Sequence, residues 1–168
     1  RGINLQGTKN VLLATQRYDA DLVYISSNAV YDGENAPYSE MSNRFPVNTY
    51  GQIKKEAEDC LDTDCLVIRP IFLFGWPTAG QRGNFATRLI TALRAGERVN
   101  VALDIKTQPT YALHCADAIW QIIRKTTGGG SYNVSADSRM DMYAFAHLIA
   151  AVFNLDAKLI HGMSNLEN

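Results

Sequence analysis

Tyr50-Gly51-Gln52-Ile53-Lys54 sets a phenol and an amine four residues apart. In a helix that spacing places both on one face, one turn apart. Ser27 lies upstream, at the end of an apolar run that reads as a strand. A hydroxyl, a phenol and an ammonium that converge can hold a carbonyl oxygen and protonate it while hydride arrives at its carbon. A phenol with an ordinary pKa near ~10 is a poor proton shuttle at neutral pH. Bringing it toward ~7 takes about three units, or roughly 4 kcal/mol of favourable field. A lysine ammonium on the next turn, joined by a cationic nicotinamide ring, gives a field of that sign. The same ammonium can donate to ribose hydroxyls, and the serine can fix the carbonyl in place. The chemistry within reach is therefore redox or epimerisation of the nicotinamide kind. Without that convergence the chain is an α/β domain carrying a surface pair.

The elements that must position these groups can be read from periodicity. Ile3, Leu5, Val11, Leu12 and Ala14 predict a helix over residues 3–17. Leu22 to Ser27 is almost wholly apolar and ends in hydroxyls, as suits a central parallel strand covered on both faces. Residues 31–37 form a turn-rich loop, and residues 48–61 return to helix, with Asn48 or Thr49 as its cap. Cys65 to Pro70 reads as a second buried strand, closed by the proline. After a loop over 76–83, a helix spans Asn84 to Ala95 and stops at Gly96. Short strands are expected at 99–101, 108–112 and 132–134, and helices at 117–125 and 142–153. Trp120, Phe145 and Phe153 occupy helical positions expected to pack in a core. Strand and helix alternate up to about residue 75, which predicts a parallel α/β sheet. The expected division is a main domain over residues 1–75 and a smaller mixed lobe over 76–168, with elements returning to the main domain.

The chain has 168 residues, enough for a proper core. Its net charge of −1 gives no bulk attraction to nucleic acid or to an anionic membrane, so neither is an expected partner. It contains no apolar run of about 18 residues and no basic-then-apolar leader. Cys60, Cys65 and Cys115 are odd in number and lie in apolar contexts, which predicts reduced thiols in a cytoplasmic protein. His114, His147 and His161 lack ligand spacing, so no metal is expected. Gly75-x-x-x-x-Gly80 is followed by Gln81-Arg82 and is not a phosphate loop. The chain begins at Arg1 with a helical pattern already under way, so it is expected to be a fragment of a longer protein.

Several ordered motifs share one resemblance. Ser26-Ser27-Asn28-Ala29-Val30-Tyr31-Asp32-Gly33, Pro37-Tyr38-Ser39-Glu40, Pro46 and Tyr50-Gly51-Gln52-Ile53-Lys54 closely resemble the extended short-chain dehydrogenase/reductase family. Arg69 to Gly75 looks like that family's next strand motif, and Asn4 to Leu13 like the helix before the serine strand. The resemblance implies a Rossmann-type parallel sheet with helices, plus a small substrate lobe. It also implies NAD or NADP as cofactor and a nucleotide sugar as substrate. By the same resemblance Tyr50 is the general acid/base, Lys54 its partner and Ser27 the catalytic hydroxyl. Ser26, Tyr50, Lys54, Arg69 and Pro70 are the residues implied to meet the cofactor. Ser27, Asn28, Asn84, Gln108 and Thr110 are implied to meet substrate, with Asn4 supporting the site. A homodimer through the helices near 3–17 and 48–61 is also implied.

Within the family, Ser27-Asn28-Ala29 lacks the Asp-Glu pair of the sugar-nucleotide dehydratases. Tyr31-Asp32-Gly33, Pro37 to Glu40 and Pro109-Thr110-Tyr111 look more like the dTDP-4-dehydrorhamnose reductases, which reduce a 4-keto sugar. Two features depart from those enzymes: they tend to carry Thr-Asp-Tyr where Ser27-Asn28-Ala29 stands, and an acidic pair where Leu113-His114 stands. An epimerase of the same family and a non-catalytic protein that kept the fold are the alternatives. No Gly-x-Gly-x-x-Gly fingerprint follows a strand. The pyrophosphate and adenosine sites are therefore expected on an N-terminal segment missing from this chain. The isolated 168 residues are expected to bind dinucleotide weakly or not at all. Calorimetric titration with NADPH checks this, and tight binding is the contrary result.

Overall fold

The computed structural model describes residues 2–164. After a wider π-type turn over Gly2–Gln6 come α1 (Gly7–Tyr18), β1 (Val23–Ile25), α2 (Thr49–Glu58), β2 (Leu66–Pro70) and β3 (Leu73–Phe74). There follow α3 (Phe85–Arg94), β4 (Val99–Ala102), β5 (Lys106–Thr107), β6 (Thr110–Tyr111) and α4 (Ala112–Lys125). The chain closes with β7 (Gly130–Val134), β8 (Met140–Asp141), α5 (Met142–Val152) and β9 (Ile160–Met163). These elements form two compact units, one of residues up to Ile71 with Ala116–Val134, the other of Phe72–Cys115 with residues from Ser135 on.

The first unit is built on a parallel sheet of order β1-β2-β7. Leu66, Val67 and Ile68 pair with Val23, Tyr24 and Ile25 on one side, and Leu66 to Pro70 run against Gly130 to Val134 on the other. Every residue of β2 is buried, as its unbroken apolar run requires for a central strand. A parallel neighbour needs a crossover, and α2 is the helix of that crossover. The predicted strand over 22–27 is regular only from Val23 to Ile25. Ser26 still joins the ladder, its N–H donating to the Ile68 carbonyl at 2.7 Å. Ser27 leaves it to cap a tight turn over Asn28–Val30.

The second unit packs two amphipathic helices around an aromatic centre. Ala86, Leu89, Ile90 and Leu93 form one stripe of α3, and Met142, Phe145, Ala146, Ile149 and Ala150 one stripe of α5; all are buried. Phe145 lies 5.2 Å from the Phe74 ring, 6.0 Å from Phe85 and 6.1 Å from Phe72. Parallel pairs β3–β6 and β4–β9 and the antiparallel pair β5–β8 complete it. Phe72 turns the chain into β3 at φ 37, uncommon for an aromatic residue, with its carbonyl accepting from Thr110 at 3.1 Å.

Two expectations are corrected. The strand predicted over 108–112 shrinks to β6, because Ala112 already begins α4. Trp120 is 58% exposed and packs in no core; the only buried residue of α4 is Cys115. Helical spacing identifies an apolar face but not what covers it. Phe145 is buried as expected.

Candidate active site

A missing side chain brings β1 and α2 together. Gly51 lies buried against the turn that follows Ser27. A Cβ there would stand 2.0 Å from the Ala29 carbonyl oxygen and 2.9 Å from the Pro46 Cβ. Backbone on one side and a proline on the other leave nothing flexible to give way. Asn48 fixes the start of the helix, its Oδ1 accepting from the Gly51 N–H at 2.8 Å. Gly51→Ala is expected to destabilise the unit by about 1–3 kcal/mol or more, and to displace α2 from the Ser27 turn. Chemical denaturation checks this, and a variant as stable as the parent contradicts the close approach.

On this helix Tyr50 occupies the first turn and is 51% exposed. Lys54, one turn on, reaches the strand: its Nζ donates to the Ile25 carbonyl at 2.7 Å. The ammonium lies 5.9 Å from the centre of the Tyr50 ring and 4.9 Å from that of Tyr24. Burial pushes the Lys54 pKa below the usual lysine value, while the Glu58 charge acts the other way. Ser27 Oγ accepts from the Ala29 N–H at 3.2 Å, which fixes the oxygen and leaves the O–H to donate. The first unit thus presents an accessible phenol, an ammonium at its ring and an oriented hydroxyl at the end of the neighbouring strand. That set fits the nicotinamide end of a dinucleotide, and it can hold and protonate a carbonyl oxygen. Asn4 lies ahead of α1, where its carbonyl accepts from the Thr8 hydroxyl at 2.5 Å. Asn28 is exposed in the turn after Ser27, and Pro70 ends β2.

Two residues implied for the cofactor have other partners. Glu58, buried on the same helix, binds Arg69 through both oxygens, at 3.1 Å from Nε and 2.8 Å from Nη2. It also accepts from Arg44 Nη1 at 2.8 Å and from the Ser26 hydroxyl. Arg69 further donates to the Tyr31 hydroxyl at 2.8 Å and to the Glu40 carbonyl at 3.2 Å. The guanidinium of Arg69 and the hydroxyl of Ser26 are therefore engaged inside the unit. Burial opposes the Arg69 charge, but Glu58 outweighs it and holds the guanidinium above its usual pKa. Glu58 stands four residues after Lys54, a spacing that could have flagged it; its partners across the fold were not readable.

The Pro37 to Glu40 motif is also tied into this unit. The Glu40 carboxylate accepts from the Asn133 N–H at 2.9 Å, which holds its pKa below the usual 4.5. A depressed acid stabilises the fold above its unfolded pKa, and that contribution is lost as pH falls through the folded value. Glu40→Gln is expected to flatten the loss of stability below about pH 4.5, measured by denaturation from about pH 6 to about pH 3. An unchanged slope contradicts the anchor.

The remaining implied substrate residues belong to the second unit. Asn84 caps α3, its Oδ1 accepting from Thr87 at 3.3 Å and its Nδ2 donating to the Gly75 carbonyl at 2.6 Å. Gln108 donates to the Ala136 carbonyl at 2.8 Å. Thr110 is buried, donating to the Gln108 carbonyl at 2.9 Å and accepting from Ala136 at 3.1 Å. Its hydroxyl is thus engaged inside the unit, as are the side-chain amides of Asn84 and Gln108. Among the described residues no group of His, Cys, Asp or Glu could hold a metal ion, and no helix is long and apolar enough to cross a membrane.

Comparison with known proteins gives a consistent grouping. The family described as RmlD substrate binding domain matches residues 1–168. A dTDP-4-keto-6-deoxy-D-glucose reductase of Streptomyces niveus is 28% identical over 140 residues, covering 80% of this chain and 47% of that protein. The methionine adenosyltransferase 2 subunit beta of Danio rerio is 28% identical over 160 residues, covering 91% and 50% respectively. Among solved structures, a dTDP-4-dehydrorhamnose reductase of Bacillus anthracis in complex with NADP aligns with a TM-score of 0.89 at 28% identity. That alignment covers 98% of this chain and 58% of the other. The chain spans about half the length of the curated relatives it matches. The mixed α/β architecture, with its parallel sheet, is that of the Rossmann-like reductases.

Proposed function

Because the chain belongs to the RmlD substrate binding domain family, we propose that it is the catalytic and substrate-binding part of an NAD(P)H-dependent oxidoreductase that reduces a 4-keto nucleotide sugar. The observation that carries this reading is the Lys54 ammonium, held by the Ile25 carbonyl at 2.7 Å and 5.9 Å from the Tyr50 ring. Ser27 donates to the keto oxygen and fixes it. Tyr50 delivers the proton to that oxygen as the carbonyl becomes an alcohol. Lys54 places a positive charge beside the phenol and holds the ribose of the cofactor. When bound, reduced nicotinamide supplies the hydride. Its pyrophosphate and adenosine are held by sequence beyond these 168 residues, since no glycine fingerprint is present here.

Asn28, Asn84, Gln108 and Thr110 are the proposed further substrate contacts, with Asn84 at the α3 N-terminus, a position that favours phosphate. The proposal also places the complete protein in the cytoplasm as a homodimer through α1 and α2. Val11, Leu13 and Tyr18 of α1 are exposed apolar groups of the kind such a contact would cover. An epimerase would use the same three residues but recycle its cofactor. A non-catalytic protein that kept the fold is the other alternative; the retained Ser27, Tyr50 and Lys54 favour catalysis. Following nicotinamide absorbance in the complete protein with a dTDP-linked 4-keto sugar separates the three. Consumption equal to alcohol formed supports the reductase. Conversion without consumption identifies an epimerase, and no conversion a binding protein.

A further inference from the structure

We infer that Tyr24 is a positioning residue for Lys54, its ring and not its hydroxyl holding the ammonium beside Tyr50. Lysine carries its charge on a flexible four-carbon stem, and the charge acts on one phenol only if that stem is held. Two groups hold it, and both come from consecutive residues of β1. The Ile25 carbonyl accepts from Nζ at 2.7 Å, and the Tyr24 ring lies 4.9 Å from the same nitrogen. The Tyr24 ring is the nearer aromatic face, since Tyr50 lies at 5.9 Å. A carbonyl alone leaves the ammonium free to swing about one bond. An aromatic face beside it restricts that swing and attracts the cation through the ring quadrupole.

The hydroxyl of Tyr24 has no such part. It is buried and makes no well-formed hydrogen bond among the described residues; its polar neighbour is the Thr8 side chain. Burial pushes that phenol's pKa up, with Thr8 acting to lower it, and the net rise keeps it neutral beside the ammonium. A buried hydroxyl without a well-formed bond contributes little that phenylalanine would lose, and its Thr8 neighbour keeps a bond to the Asn4 carbonyl. Ring and hydroxyl can therefore be separated by substitution.

The inference rests on the proton relay proposed above for Tyr50 and Lys54, and the test distinguishes the two. In the complete protein, Tyr24→Leu and Tyr24→Met are expected to lower kcat for the 4-keto sugar by about 3- to 30-fold. KM for sugar should stay within about twofold, because neither variant touches its proposed contacts, while KM for NADPH should rise as Lys54 loosens its hold on the ribose. Tyr24→Phe should restore kcat to within about twofold of the parent and match or exceed its thermal stability. Carbon-13 spectra of Lys54 supply a readout that does not need turnover. Its ε-methylene protons should be shifted upfield and restrained in the parent and in Tyr24→Phe, and average toward free lysine in the ringless variants. A Tyr24→Phe protein as impaired as Tyr24→Leu overturns the inference, as does a ringless variant with parental kcat and an unchanged Lys54 signal. A parent protein that converts no sugar contradicts the proposed function instead, and the Lys54 spectra then decide the role of Tyr24.

Discussion

Tyr50→Phe in the complete protein should lower kcat by about 100- to 10,000-fold, the range that a general acid contributes. The substitution removes one oxygen and keeps the ring. Tyr50 is 51% exposed, so no buried contact is lost and stability should change by no more than about 0.5 kcal/mol. Lys54 keeps its bond to the Ile25 carbonyl, and Ser27 keeps its cap at Ala29, so binding of cofactor and sugar should persist. The expected result is thus a folded, binding-competent protein with almost no turnover. Stopped-flow measurement of a single turnover, together with NADPH fluorescence titration, separates chemistry from binding. Parental kcat in this variant would remove Tyr50 from the mechanism.

Glu58→Ala is the substitution with the largest expected effect on stability. Glu58 and Arg69 are almost inaccessible, at 2% and 4% of their side-chain surfaces. Two parallel hydrogen bonds join them, the strongest geometry open to an arginine and a carboxylate. Removing the carboxylate leaves the guanidinium buried without its counter-charge and the Ser26 hydroxyl without its acceptor. Breaking such a pair costs about 3–5 kcal/mol, a large part of a domain's total stability. Arg44 shares the same carboxylate but is 28% exposed, so Arg44→Ala should cost about 1 kcal/mol or less. Urea denaturation of both variants tests the contrast. Equal losses would contradict a network centred on Arg69.

This network also marks where the sequence stopped being legible. The helix carrying Tyr50 and Lys54 and the strand closed by Pro70 announce themselves through period and composition, and Asn48 and Asn84 through their capping positions. Strands β5 and β8 hold two residues each, too few to show alternation, and exist only because they pair with each other. Arg69 carries an apparent cofactor role by position in a motif, yet its charge meets Glu58, 11 residues away in the chain. Ser26 meets the same carboxylate over a separation of 32 residues. No local pattern encodes such partners. Gly51 was legible as part of a motif but not as the point where α2 touches the Ala29 backbone. Its meaning depends on what lies opposite, which only the fold supplies.

In the proposed reaction, hydride passes from a nicotinamide to the keto carbon of a nucleotide sugar while Tyr50 protonates the oxygen. Incubating the complete protein with a dTDP-linked 4-keto-6-deoxy sugar and NADPH dideuterated at the nicotinamide C4 follows that hydride. The expected product is an alcohol carrying one deuterium on the former keto carbon, formed about 100- to 10,000-fold more slowly by the Tyr50→Phe protein. A product without deuterium, or labelled product formed equally well without the Tyr50 hydroxyl, would contradict it.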